Sequence, residues 1–183
     1  MIHRYISVTG MCFLCSFLTP ASFLIKKPLV FPAFPNSGRI AGVDFGTVRI
    51  GTAHCDPDRR LVSPLEVRQV TTPDSDAKYF SELATLERIG GWVVGLPLHM
   101  DGKESQRSEQ ARDFAVWLRD ETQLPLRMFD ERLTTVDADA RAAAFGWSRE
   151  MRKSKIDALA ALVLLESFLE SWRHFGEMPG CDP

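Results

Sequence analysis

Apolar and polar positions change their pattern near residue 39, and an orderly succession of elements starts there. Residues 39–45 (RIAGVDF) and 49–55 (RIGTAHC) are short apolar runs separated by a tight turn, which predicts a pair of strands. The next run, 61–70 (LVSPLEVRQV), is rich in β-branched residues and has a proline near its start, which is typical of an edge strand. The pattern therefore predicts a domain that opens with three strands.

Beyond residue 75, segments with apolar residues at helical spacing alternate with short apolar runs that are typical of buried strands. Helices are predicted over 76–89, 111–118, 135–145 and 156–172, and strands over 92–97 and 125–129. The resulting order is β-β-β-α-β-α-β-α-α. This order predicts an α/β fold with a mixed sheet, antiparallel at first and parallel later, and helices on both faces.

Residues 1–38 differ from this pattern. Their apolar run, 6–18, is shorter than the roughly 20 residues of a membrane-spanning helix, and no clean signal-peptide cleavage site follows it. Repeated prolines then oppose both helix and strand. We expect 1–38 to be a disordered leader or the result of a translation start assigned too far upstream. One globular domain is expected over 39–175, with 176–183 as a short C-terminal tail.

The amino-acid composition adds little to this prediction of fold and function. A chain of 183 residues with 45% hydrophobic and 25% charged residues fits one globular domain with an extension. Four cysteines are too few for a disulfide-stapled scaffold. Lys and Arg number 22 against 24 Asp and Glu, so the net charge of −2 gives no overall positive field. A site for nucleic acid would have to be local.

Three acids stand where an α/β sheet places its chemistry, at or near the ends of predicted strands or on a buried helix. Asp44 ends the first strand, Glu131 follows the run PLRMF, and Asp157 lies in KIDALAALVLL. Each has a plainer interpretation. Asp44 could be a turn residue, Glu131 could belong to a solvated charge cluster or to a helix start, and Asp157 could form a capping box with Ser154.

The arrangement of these acids favours a common pocket, because two follow core strands and the third lies on a buried helix. Carboxylates that converge repel each other, and a bound cation usually offsets this repulsion. Oxygen ligands without histidine or cysteine at fixed spacing suit Mg²⁺ or Mn²⁺. Two such ions, about 3.5–4 Å apart, are the usual apparatus for hydrolysis of phosphodiesters.

Four motifs then identify a family. They are RIAGVDFGTVRIG, VVGLPLHMDG, DERLTT and KIDALAA. Through them, residues 39–172 resemble the YqgF family of pre-16S ribosomal RNA nucleases, which is related to the Holliday-junction resolvases. The resemblance implies a ribonuclease H-like fold and a metal-dependent hydrolase that matures the 5′ end of small-subunit ribosomal RNA in the cytoplasm, during ribosome biogenesis.

Carried over residue by residue, the resemblance implies that Asp44, Glu131 and Asp157 are the catalytic acids that bind the metals. Asp130 is the competitor for Glu131, because neighbours on an extended chain point to opposite sides. The family pattern selects Glu131. Basic residues near the acids are candidates for contact with substrate phosphates, with a solvated surface as the alternative. These candidates are Arg49, Lys103, Arg107, Arg132, Arg152 and Lys155.

Three other functions stay open. A resolvase acting on branched DNA would use the same fold and metals, and paired nicks on a symmetric junction would favour a homodimer over a monomer. A non-catalytic RNA-binding module for ribosome assembly would keep the fold without the reaction. The motif DFGT is also similar to the first phosphate loop of the actin and sugar-kinase fold, but one domain of this length lacks the second loop. Expected partners are precursor ribosomal RNA and ribosomal particles, without a membrane.

Overall fold

A five-stranded sheet forms the centre of the described part of the chain. The computed structural model describes residues 33–130 and 132 in full, the backbone of 149–155, and residues 156–183. The strands are β1 (Ala41–Phe45), β2 (Arg49–Cys55), β3 (Val62–Gln69), β4 (Trp92–Leu96) and β5 (Leu126–Asp130). Their order is β3-β2-β1-β4-β5, antiparallel from β3 to β1 and parallel from β1 to β5. The predicted mixed sheet, with β3 at an edge, is confirmed.

Three helices accompany the sheet in the described residues. They are α1 (Pro73–Leu86), α2 (Gln106–Thr122) and α3 (Arg149–Phe175). The predicted helix over 135–145 lies outside the described residues. Helix α1 begins three residues earlier than predicted, because Pro73 takes its first position and the Thr72 hydroxyl accepts a hydrogen bond from the Ser75 amide. None of the described helices is long and apolar enough to cross a membrane.

Helix α3 also begins earlier than the apolar pattern indicates. It starts at Arg149 rather than at residue 156, so its first two turns are formed by a charged stretch. Ser154 and Asp157 both lie inside the helix. The interpretation of these two residues as a capping box is therefore wrong, because a cap residue must stand where the helix begins.

The sheet separates two apolar layers. Helices α1 and α2 cover one face, where Phe80 and Phe114 are fully buried beside Val94. Helix α3 covers the other face, where Phe168 packs beside Val93. Val93 and Val94 are neighbours on β4 and belong to different layers, as the alternation of side chains along a strand requires. Helices on both faces are confirmed.

Helix α3 comes into backbone contact with the sheet at two glycines. A Cβ atom on Gly51 would lie 1.9 Å from the carbonyl oxygen of Asp157, and one on Gly42 would lie 2.7 Å from that of Ala161. No side chain fits in either gap. The two glycines therefore set the height of α3 above β1 and β2.

The C-terminal residues cover an edge of the sheet. Cys181 and Met128 exchange two backbone hydrogen bonds, of 2.8 and 2.9 Å, which form an antiparallel bridge beside β5. The Arg127 guanidinium donates to the Gly180 carbonyl at 2.6 Å and pairs with Asp182 at 2.8 Å. Part of the predicted tail thus satisfies backbone groups that an edge strand would otherwise expose.

The end of the predicted leader also contacts the domain. Phe34 is buried against the rings of Phe168 and Trp172 on α3, with centroid distances of 5.9 and 6.1 Å. Arg59 donates hydrogen bonds to the carbonyls of Pro35 and Gly38, both at 2.8 Å. Residues 33–38 are therefore packed on α3 and the β2–β3 turn. Residues 1–32 lie outside the described residues, and the leader as a whole stays a prediction.

Candidate active site

Asp44 lies at the carboxyl end of β1, on the face that α3 covers. Its neighbour Val43 belongs to the layer beneath α1 and α2, so strand alternation turns Asp44 to the other side. Asp44 is paired with Gly51 in the antiparallel ladder, and partners in such a ladder share a face. Because Gly51 lacks a side chain, the space beside Asp44 is open to α3.

Asp157 reaches this space from α3. Its carbonyl group rests directly over Gly51, so its position on the helix is fixed by the backbone contact described above. Its side chain is 21% exposed, and Oδ2 is buried. Within the described residues Oδ2 accepts no hydrogen bond, although Arg49 Nε lies 2.9 Å away as an ion pair. The structure thus brings together Asp44, Asp157 and Arg49, three of the residues predicted from the sequence.

The two acids disturb each other electrostatically. Burial, followed by repulsion from the Asp157 carboxylate, raises the pKa of Asp44 to about 6. Both causes act by disfavouring a second negative charge in a partly desolvated pocket. A cation placed between the two carboxylates would screen their repulsion and offset the cost of burying the charge, so the pocket favours positive charge.

Glu131 lies outside the described residues, but its competitor Asp130 does not. Phe129 packs against Phe168 of α3 at a centroid distance of 5.6 Å, so the next residue on β5, Asp130, points to the opposite side of the sheet. There Arg132 binds it, with Nη2 donating to Oδ2 at 2.6 Å, and this hydrogen bond lowers the pKa of Asp130. Asp130 therefore does not share a face with Asp44 and Asp157.

Arg132 connects the end of β5 to the loop that follows β4. Besides its bonds to Asp130, its Nη1 donates to the carbonyls of His99 and Met100 at 3.2 and 3.3 Å. The loop has its own turn, in which the His99 amide donates to the Lys103 carbonyl at 3.0 Å. Arg132 was predicted to contact substrate, and in this structure its guanidinium is engaged in holding the loop.

The other predicted phosphate ligands are less closely associated with the acids. Lys103 is 80% exposed in the loop after β4 and pairs with Asp101 at 2.9 Å. Arg107 is exposed in the first turn of α2. The side chains of Arg152 and Lys155 lie outside the described residues, although their backbone belongs to the first turns of α3, before Asp157. Of the six basic candidates, Arg49 alone is seen in contact with a site carboxylate within the described residues.

The donors present fit a hard divalent cation. No group of three metal-binding side chains occurs among the described residues, which contribute the two carboxylates of Asp44 and Asp157. The buried Oδ2 of Asp157 accepts no hydrogen bond from the described residues, and it lies beside Asp44, whose pKa is raised. Mg²⁺ or Mn²⁺ would stabilise both carboxylates in this environment. A third oxygen ligand from Glu131 would complete a carboxylate set.

The role of Gly51 and the partner of Arg49 were not predicted from the sequence. The signal for Gly51 was present in RIG, where a glycine two residues after Arg49 must lie on the same face of the strand. A glycine inside a strand often marks the close approach of another backbone. The ion pair between Arg49 and Asp157 has no such signal, because it joins two motifs that are distant along the chain.

Comparisons with known proteins agree with the fold. The sequence model of the RuvX family, described as Holliday junction resolvase, matches residues 38–171. A candidate pre-16S rRNA nuclease from Rhodopirellula baltica is 57% identical over 147 residues, which cover 80% of this chain and 85% of the relative. One from Nitrobacter hamburgensis is 39% identical over 153 residues, covering 82% and 92%.

A solved structure shows the same architecture. RuvC of T. thermophilus, in complex with a Holliday junction substrate, has a TM-score of 0.52 and 13% identity, covering 78% of this chain and 99% of that one. The strand order and the likeness to this structure define the fold class, a ribonuclease H-like domain. The chain belongs to the RuvX family, because the family model matches most of it and the relatives span most of its length. The resemblance to the YqgF family is confirmed.

Proposed function

We propose that this protein is a metal-dependent nuclease that processes the 5′ end of pre-16S ribosomal RNA during ribosome biogenesis. The observation that carries the proposal is the shared pocket of Asp44 and Asp157, where burial and repulsion make two carboxylates favour a cation. Membership of a nuclease family supports hydrolysis of phosphodiester bonds. The names of the relatives at 57% and 39% identity support the RNA substrate.

Three acids would hold the divalent ions. Asp44 and Asp157 would bind from the described pocket, and Glu131 from the residue after β5. Carboxylate oxygens suit Mg²⁺ or Mn²⁺, and we propose two ions. Such a pair supplies an activated water and stabilises the leaving oxygen during in-line displacement at phosphorus.

The chain's own residues prepare this site. Gly51 allows the backbone of α3 to rest on β2, which holds Asp157 beside Asp44. Both carboxylates must be ionised to act as ligands. Because the pKa of Asp44 is raised to about 6 without a metal, a cation has to compete with a proton there as the pH falls.

Basic side chains would contact the phosphates of the RNA. Arg49 lies beside the acids and is the candidate for the reacting phosphate. Lys103, Arg107, Arg152 and Lys155 would contact the backbone further along, where each adds sequence-independent affinity. The substrate would be free precursor RNA or RNA within ribosomal particles, and the enzyme would act in the cytoplasm as a monomer or a homodimer.

Branched DNA is the second candidate substrate. The family description names Holliday junction resolvases, and the fold matches that of a RuvC bound to a junction. A resolvase would need two copies of the site, one for each nicked strand. The geometry of the acids is compatible with either substrate.

A cleavage assay distinguishes these functions. An end-labelled RNA that spans the mature 5′ end of 16S ribosomal RNA and a four-way DNA junction are incubated separately with the full chain, in the same Mn²⁺ and salt. We expect cleavage of the RNA, and a rate lower by about ten-thousandfold or more for Asp44→Asn, the scale of losing one member of a catalytic group. Asp130→Asn is the matched control, since Asp130 lies on the opposite side of the sheet.

Each other outcome changes the assignment. Paired nicks in the junction, with intact RNA, would establish the resolvase. Cleavage by Asp44→Asn at the rate of the wild type would refute the catalytic assignment. Metal-independent binding of RNA without cleavage would indicate an assembly module that has kept the fold.

A further inference from the structure

Arg49 is the first residue of β2, and its side chain lies against the Asp157 carboxylate. Its Nε lies 2.9 Å from Asp157 Oδ2, and the two side chains are 42% and 21% exposed. Arg49 and Gly51 lie on the same face of the strand, so the α3 backbone that rests on Gly51 brings Asp157 to the arginine. The contact is therefore built into the packing of α3 on β2.

This contact gives the pocket its counter-charge when no metal is bound. Asp44 and Asp157 repel each other. Among the described residues, the ion pair between Arg49 and Asp157 is the one that brings a positive charge to these two acids. The buried Oδ2 nevertheless accepts no hydrogen bond there, so the guanidinium neutralises its charge without satisfying its lone pairs. Such a contact is weaker than a well-directed arginine–carboxylate bond.

We infer that Arg49 is a displaceable counter-ion of Asp157, which a divalent metal replaces and which then turns to a phosphate of the substrate. The inference rests on the proposed function. A partly exposed ion pair contributes little to stability, so a doubly charged ion with several carboxylate ligands can replace it. The long, half-exposed side chain can move away without disturbing β2. Binding of metal would thus prepare the site for an anionic substrate.

Calorimetric titration of Mn²⁺ tests the inference without relying on activity. The full chain is compared with Arg49→Met, which removes the competing cation, and with Arg60→Met. Arg60 is an exposed arginine near the far end of β2, so this control makes the same change in net charge away from the acids. We expect Arg49→Met to bind Mn²⁺ about fivefold more tightly than the wild type, and Arg60→Met to stay within about twofold.

Melting in a chelator provides the second measurement. Arg49→Met should melt at a lower temperature than the wild type without metal, because Asp44 and Asp157 are then left without their counter-ion. Mn²⁺ should abolish this difference in melting temperature, because it supplies the missing positive charge. For the wild type itself, nitrogen-detected NMR of arginine side chains should show the Arg49 Nε signal shifting on addition of Mg²⁺, which requires no variant.

The outcomes separate this inference from the proposed function. Equal or weaker Mn²⁺ binding by Arg49→Met, with measurable binding by the wild type, would refute the displacement and leave the metal site standing. An unchanged Arg49 signal at saturating Mg²⁺ would refute it as well. An absence of binding by both proteins would overturn the metal site and the displacement together.

Discussion

Replacement of Asp44 by asparagine should stabilise the metal-free protein while it removes the activity. In the folded state the Asp44 carboxyl is partly buried and faces the Asp157 carboxylate, which raises its pKa from 3.8 to about 6. The folded protein therefore holds this proton more tightly than the unfolded chain does. Between these two pKa values stability falls as the pH rises, and above about pH 6 the whole penalty of ionising Asp44 is present.

The size of the penalty follows from the two pKa values. The difference between 3.8 and about 6 corresponds to roughly 3 kcal/mol. Because Asp44 is only partly buried, solvent and the nearby Arg49 reduce this value, and we expect about 2 kcal/mol. Asparagine has nearly the same shape and cannot ionise. For a domain of this size, the gain corresponds to an increase in Tm of about 5 °C.

Thermal unfolding in a chelator measures this gain. The variant should melt higher than the wild type at about pH 8, and the two should melt together below about pH 3, where Asp44 is protonated in both the folded and the unfolded state. Asp130→Asn is the matched control with the opposite sign. Its carboxylate is held by Arg132 and has a lowered pKa, so loss of the charge should destabilise the protein above the usual pKa range of an aspartate.

A lower Tm for Asp44→Asn at about pH 8 would contradict this expectation, because it would show that the ionised carboxylate stabilises the metal-free fold. A gain in Tm that is the same at every pH would also refute it. In that case the gain would come from the packing or hydrogen bonding of the amide rather than from the removal of a charge.

Three further substitutions or deletions test the geometry. Gly51→Ala should destabilise the protein by about 3 kcal/mol in urea unfolding and weaken Mn²⁺ binding, because its Cβ would lie 1.9 Å from the Asp157 carbonyl oxygen. Unchanged stability and unchanged Mn²⁺ affinity would refute the backbone contact. Arg132→Gln should lower the free energy of unfolding by less than about 1 kcal/mol but increase the rate of amide hydrogen exchange over residues 98–104. An unchanged exchange rate would show that Arg132 does not hold the loop in place. Deletion of residues 179–183 should promote association in light scattering by exposing the edge of β5, whereas a monodisperse product would contradict the protective role.

The elements that the sequence predicted best are those whose local pattern agrees with their final surroundings. The strand predicted over 49–55 has these bounds in the structure, because its turn and its apolar residues lie within a few positions of one another. The start of α3 was missed for the opposite reason. Residues 149–155 carry charged side chains without an apolar stripe, so their helix has no periodic signal in the sequence.

The site was predictable as a set of residue types but not as a set of contacts. The position of Asp44 at the end of a strand and of Asp157 on a buried helix followed from the pattern, and the structure brings them together. Arg49 and Arg132 could not be distinguished in the sequence, since both are arginines next to an acidic motif. Tertiary packing separates them, with Arg49 on Asp157 and Arg132 on Asp130.

Whether Asp44 and its partners form a divalent metal site can be measured by calorimetric titration. Mn²⁺ is titrated into the full chain and into its Asp44→Asn, Glu131→Gln and Asp130→Asn variants. We expect binding by the wild type, a loss of affinity of about tenfold or more for the first two variants, and an unchanged affinity for the third. Equal affinity in all four proteins, or a loss confined to Asp130→Asn, would contradict this expectation.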